Sequence, residues 1–258
     1  MSDASAEILP SAVEEARRML EKAEKEGVVL RLVGGVAIQL HSPSAEKGAL
    51  SRKIPDIDFM ALSSQYKRLN SLLISLGYEP NKRFNTVNLV RKRLMYVDPA
   101  SKRQIDVILD TFRMCHALEV RMGVDRFTIP LAELLLTKLQ IVEINEKDIR
   151  DIVALLSDHD VGESDEERIN LSRICELCGR DWGLYKTVTT NMTKIRDLFV
   201  GDYGIGNEEK ELVKSRLTKI LEAVEHAPKT IKWKARAKIG EKARWYDVPE
   251  EVFRKTAE

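Results

Sequence analysis

Three aspartates in this sequence have the types and spacing of a metal-assisted phosphoryl-transfer site. Asp56 and Asp58 stand two apart in Asp56-Ile57-Asp58, and side chains two apart in a strand share a face, so both carboxylates address one space. Acids that close repel one another unless a cation lies between them, and Mg²⁺, which favours carboxylate oxygens, suits the pair. An acidic loop end that reaches solvent or meets Arg52 accounts for the same spacing. Asp106 interrupts the apolar run Ile105 to Leu109, where a carboxylate is costly unless it is paired or binds metal. A salt bridge to Arg103 or Arg113 would serve as well. If all three acids converge, two Mg²⁺ ions can be held: one polarises an attacking hydroxyl, and the other neutralises a nucleoside triphosphate (NTP) and its leaving pyrophosphate.

The elements that must position these acids follow from periodicity. Ser11 and Glu14 form a capping-box signature for an amphipathic helix closed by Gly27. Val28 to Val33 reads as a buried strand stopped by Gly34-Gly35, a pair without Cβ atoms that lets backbone approach a ligand at a helix start. A plain turn explains two glycines equally well. A polar loop from Ser42 to Pro55 precedes a strand over Ile57 to Leu62, and Leu69, Leu72, Leu73 and Leu76 predict a helix from Ser63. Phe84 to Val90 and Arg93 to Val97 alternate like a strand pair, and a further strand follows the Asp98-Pro99 turn over Arg103 to Leu109.

Beyond Pro130 the alternation gives way to helical spacing. The expected helices are Leu131 to Ile144, Lys147 to Ser157, Asp165 to Cys178, Leu184 to Phe199, Glu208 to His226 and a basic segment after Pro228. The expected domains are therefore 1–129 and 130–258, an α+β unit with a mixed sheet and flanking helices followed by an all-α unit.

Taken together, Leu32 to His41 with its Gly34-Gly35, then Arg52, Asp56-Ile57-Asp58-Phe59 and Gln104-Ile105-Asp106-Val107 resemble the polymerase-β-like nucleotidyltransferases. Within that superfamily, Pro130 to Leu139 followed by Lys147-Asp148-Ile149-Arg150-Asp151-Ile152 look most like the AbiEii-type nucleotidyltransferases, which include toxins of toxin–antitoxin systems. The resemblance spans roughly Val28 to Leu156. It implies transfer of a nucleoside monophosphate from an NTP to an acceptor hydroxyl, with an active site in the cleft between the two domains. Asp56, Asp58 and Asp106 would be catalytic and bind the metal. Gly34, Gly35, Arg52 and Lys138 would contact the nucleotide, and Asp148 and Asp151 would play supporting roles. On the residues alone, Lys138 is also what the solvated side of an amphipathic helix carries, and Asp148 suits a helix N-terminus. The sequence departs from the family at Val36, where many relatives have Thr or Ser, and at Ser42 and Ile54, and its loop Pro43 to Ser51 is longer.

Partners follow from the same resemblance. An RNA or tRNA 3′ end is the leading acceptor, a protein hydroxyl or a small molecule such as an aminoglycoside are alternatives, and an antitoxin protein is an implied partner. A nucleotide- or RNA-binding module without turnover is the rival from a different class. Lys229, Lys232, Lys234, Arg236, Lys238, Lys242 and Arg244 alternate with Trp233 and Trp245. The segment reads as an RNA track or as a helix that packs its tryptophans and leaves its lysines to water, and the second is the commoner arrangement. With 42 Lys and Arg against 41 Asp and Glu, the 258-residue chain is not polyanion-binding as a whole. Met1 to Pro10 has no apolar h-region, and no run is long enough to span a bilayer, so a cytoplasmic protein with no membrane contact is expected. Cys175 and Cys178 read as residues one helical turn apart rather than zinc ligands, and the four histidines show no metal-like spacing.

Overall fold

In a computed structural model describing residues 8–199 and 203–248, the chain divides into two units. The first comprises Met1–His41, Arg52–Phe112 and Val120–Pro130; the second comprises Ser42–Ser51, Arg113–Glu119 and Leu131–Glu258. Most of the amino-terminal stretch expected to lack an h-region lies outside the described residues.

The first unit begins with helix α1 (Ala12–Lys25). The Ser11 hydroxyl caps it by accepting from the Glu14 N–H, and its buried stripe is Ala16, Met19, Leu20 and Ala23. Strand β1 (Leu30–Val33) runs directly into helix α2 (Gly34–His41). Strands β2 (Ile57–Ala61), β3 (Glu79–Pro80), β4 (Arg93–Val97) and β5 (Gln104–Leu109) complete a sheet ordered β1-β2-β5-β4-β3. Only the β2–β5 pair is parallel.

Alternation along the strands gives this sheet two unlike faces. Leu30, Leu32, Ile57, Phe59, Leu94, Tyr96, Ile105 and Val107 are shut off from solvent on one face. The apolar stripe Leu69, Leu72 and Leu73 of helix Tyr66–Ser75 is equally buried. On the other face Val33, Met60 and Met95 are buried, but Arg31, Asp58, Arg93, Asp106 and Ile108 are only half-buried. The polar residues therefore collect on a single side.

One expected strand is a helix. Phe84 to Val90 lies largely within helix Lys82–Asn88, because the Asn81 side chain caps it by accepting from the Phe84 N–H. The Asn85 side-chain oxygen takes the Met95 N–H at 2.7 Å, a bond that a neighbouring strand would have supplied. The strand that pairs with β4 on the edge away from β5 is the short Glu79–Pro80.

The second unit is predominantly helical: Pro43–Glu46, Leu131–Leu139, Glu146–Asp158, Leu171–Arg180, Trp182–Lys194, Asn207–His226 and Ile231–Ile239. It also holds a parallel pair of short strands, Asp160–Gly162 and Arg168–Asn170, so the helix expected from Asp165 begins only at Leu171. The helix expected to reach Ile144 stops at Leu139, and the one expected from Leu184 starts at Trp182 behind an Asp181 cap. Trp245 donates to Thr187 Oγ1 at 3.1 Å and packs edge-on against Trp182, while Trp233 packs on Tyr185. The basic segment thus spends its tryptophans on packing and leaves Lys232, Lys234 and Lys238 exposed. Among the described residues no helix is long and apolar enough to cross a membrane.

Candidate active site

The register between β2 and β5 pairs Asp58 directly with Asp106, so their side chains leave the sheet side by side on its half-open face. Across β1, Asp58 is opposite Val33, the residue just before Gly34. Gly34 has φ +70°, a left-handed conformation that glycine adopts without strain. A Cβ at this position would lie 2.4 Å from Asp58 Oδ2. At Gly35 a Cβ would lie 2.4 Å from Arg52 Nη2 and 2.8 Å from Ile54 Cδ1. At Gly34 the left-handed backbone itself favours glycine, and at both positions a Cβ would crowd a charged side-chain end, a carboxylate at the first and a guanidinium at the second, so those ends would have to shift. The Gln39 side-chain amide donates to the Arg52 carbonyl at 3.0 Å, tying the arginine's backbone to α2.

Two kinds of charge therefore border the start of α2. Asp58 and Asp106 attract cations, whereas Arg52 and the first N–H groups of the helix attract anions. Asp56 lies two residues before Asp58, just outside β2, and is half-buried.

Asp106 is paired, but not with Arg103 or Arg113. Arg93, on the adjacent β4, places Nη2 3.0 Å from Asp106 Oδ2. Arg103 instead donates to the backbone carbonyls of Leu9 and Pro10, and Arg113 reaches Asp247 at 3.0 Å. Asp106 Oδ1 is buried with no hydrogen-bond partner. Carboxylate donors with one orphaned oxygen have the chemistry that a hard divalent ion requires. The expected three-acid cluster is nonetheless not assembled: among the described residues no three His, Cys, Asp or Glu side chains stand close enough to hold a metal. Arg93 supplies the positive charge at Asp106. Nothing in the strand pattern around Asp106 pointed to Arg93, because their meeting depends on the β4–β5 register.

Lys138, Asp148 and Asp151 belong to the second unit and form an ion cluster there. The ammonium is 3.1 Å from Asp148 and 2.9 Å from Asp151, and the three side chains are 13%, 9% and 4% exposed. Burial works against the charged amine, but Asp151 and then Asp148 outweigh it and raise the Lys138 pKa above the usual lysine value. Asp148 also sits in the first turn of its helix, which Asn145 caps.

Cys175 and Cys178 form no disulfide and lie in helix Leu171–Arg180, with Cys178 buried and its thiol pKa pushed up by that burial.

No known protein family matches the chain, and none of the curated proteins does. Among solved structures it resembles the antibiotic-resistance factor ANT(2'')-Ia, at 13% identity and TM-score 0.36 over 83% of this chain and 95% of that one. It also resembles a candidate nucleotidyltransferase from H. pylori, at 12% identity and TM-score 0.38 over 87% of this chain and 98% of that one. Both likenesses are distant.

Proposed function

We propose that the half-open sheet face beside α2 is a nucleotidyl-transfer site, and that the chain moves a nucleoside monophosphate from an NTP to an acceptor hydroxyl and releases pyrophosphate. The observation that carries this reading is the pairing at the glycine turn: Asp58 against Gly34 and Arg52 against Gly35, with Asp106 in register one strand away. A metal–triphosphate complex presents the complementary charges, a cation for the acids and phosphate oxygens for the guanidinium and backbone N–H groups.

Asp58 and Asp106, in register on adjacent strands, are the pair that would hold Mg²⁺, which when bound supplies charge neutralisation and activation of the incoming hydroxyl; Asp56, outside β2, would have to draw in toward them to complete the expected trio. Gly34 and Gly35 would bind phosphate through backbone, and Arg52 would offset charge as the bond to pyrophosphate breaks. Asp106, whose Oδ1 is buried without a donor, would also help to deprotonate the acceptor in this reading. Lys138 has one N–H beyond the two engaged by Asp148 and Asp151. A phosphate would have to draw it from a cluster of net charge −1, so nucleotide binding in this reading rests chiefly on the glycine turn and Arg52. An RNA 3′ end remains the preferred acceptor, on the AbiEii-type sequence resemblance and the exposed lysines of Ile231–Ile239, and an antitoxin partner and cytoplasmic location belong to the same reading.

A binding module without turnover is the second reading, favoured by the Arg93–Asp106 contact and by Val36 in place of a hydroxyl residue. Calorimetry with ATP, CTP, GTP and UTP plus Mg²⁺, run beside pyrophosphate release with total tRNA, separates the two. Binding with pyrophosphate release that Asp58→Asn abolishes supports the transferase. Binding without release supports the module, and no nucleotide binding rejects both.

A further inference from the structure

We infer that Arg93 is a resident counter-ion of this site: it holds Asp106 while no divalent ion is bound and yields it when one arrives, so that it sets the ion concentration the site needs. The inference rests on the metal-binding reading of Asp58 and Asp106. Asp106 is opposite Asp58 on one side and Met95 on the other, and Arg93, two residues from Met95 along β4, lies diagonally across on the same face. The contact engages one carboxylate oxygen through one guanidinium nitrogen, at 3.0 Å. A bidentate fork would satisfy both oxygens, whereas here Oδ1 stays buried without a partner. The pair is thus a partial satisfaction of Asp106, which leaves it open to a better ligand.

Burial makes the competition count. The Asp106 side chain is 15% exposed, so solvent screens little, and a divalent ion bound to this carboxylate would meet strong repulsion from a guanidinium held at contact distance. Arg93 also has somewhere to go. Its side chain is 32% exposed, and its guanidinium already lies 5.9 Å from the ring centroid of Phe84, a neighbour that can share the cation once the carboxylate is taken.

Mn²⁺ binding to the full-length chain, read from loss of the free-ion electron paramagnetic resonance signal, tests this without any turnover. Arg93→Met is expected to bind Mn²⁺ about tenfold more tightly than the parent, the size of effect a partly screened unit charge exerts at this range. Its thermal midpoint without metal should drop, and Mn²⁺ should restore it, because the ion then does what the guanidinium did. Asp58→Asn should lose Mn²⁺ binding in either background. If Arg93→Met binds Mn²⁺ no better than the parent while Asp58→Asn abolishes binding, the metal site stands and the role of Arg93 is refuted. If no variant binds Mn²⁺, both readings fall. Should Arg93→Met not fold, Arg93→Lys carries the test: its softer grip on Asp106 must bring tighter Mn²⁺ binding, and unchanged binding refutes the inference.

Discussion

Replacing Lys138 with methionine separates a structural ion cluster from a ligand-binding lysine. The substitution keeps the length and apolar stem but removes the ammonium held 3.1 Å and 2.9 Å from Asp148 and Asp151. Those carboxylates are 9% and 4% exposed, so the lost ammonium is a counter-charge that little water can replace. Removing one partner of a buried ion pair costs roughly 3–5 kcal/mol, and that is the loss expected here. All three tryptophans, Trp182, Trp233 and Trp245, lie in the second unit, so urea unfolding followed by tryptophan fluorescence reports on the unit that is perturbed.

The loss should also depend on pH in one direction. In the parent the Lys138 pKa is raised, so its contribution is present below the usual lysine pKa and fades only as pH climbs through the elevated value. In Lys138→Met that contribution is absent at every pH, so the deficit seen at pH 7 should shrink only as pH climbs through the parent's elevated lysine value. Adding Asp148→Asn and Asp151→Asn should recover a large part of it. Parent-like stability within about 1 kcal/mol, together with a clear loss of nucleotide affinity, would refute the structural assignment and return Lys138 to the triphosphate.

Gly34→Ala forces a Cβ into left-handed backbone 2.4 Å from Asp58 Oδ2. Unfolding should show a cost of about 1–2 kcal/mol, and Mn²⁺ titration a fall in affinity of about tenfold or more; intact affinity would separate the glycine from the site. Lys92 at 2.7 Å, followed by the Ser63 N–H, lowers the Asp110 pKa to about 2. Its contribution is therefore present above the ordinary value of 3.8 and lost as pH falls through about 2. For this partly exposed pair, Asp110→Asn should cost about 0.5–1 kcal/mol at neutral pH and nothing measurable in strong acid, as acid-to-neutral denaturation curves would reveal. Trp245→Ala should destabilise the second unit by about 2 kcal/mol, whereas the Lys232→Glu, Lys234→Glu and Lys238→Glu triple variant should stay close to the parent in calorimetry.

The sequence disclosed what depends on neighbours along the chain. Strand alternation located β2 and β5 and put Asp58 and Asp106 on them, and the capping signals at Ser11 and the leucine spacing of Tyr66–Ser75 gave the flanking helices. What it hid depends on partners far away. The Arg93 contact exists because β4 pairs antiparallel with β5 in one particular register. Phe84 to Val90 alternates like a strand, yet its fate was decided by Asn81 capping and by the Asn85 side chain occupying a β4 N–H. Lys138 was legible as a lysine on a helix, and the resemblance gave Asp148 and Asp151 supporting roles, but ion pairing among the three depends on how the next helix packs. Asp56 and Asp58 were legible as neighbours, while their failure to close with Asp106 into a three-acid cluster was not.

The interleaved course of the chain has a practical corollary for anyone dividing the molecule. His116, from the piece Arg113–Glu119, gives its backbone N–H to Gln140 and its ring to Thr187, and Arg150 donates to the carbonyl of Ala49 in Ser42–Ser51. A single cut after Pro130 would deprive the carboxy-terminal fragment of both pieces and expose the polar groups they satisfy. Excising the helical half intact calls for circular rearrangement or for co-expression of overlapping fragments; one well-placed stop codon cannot do it.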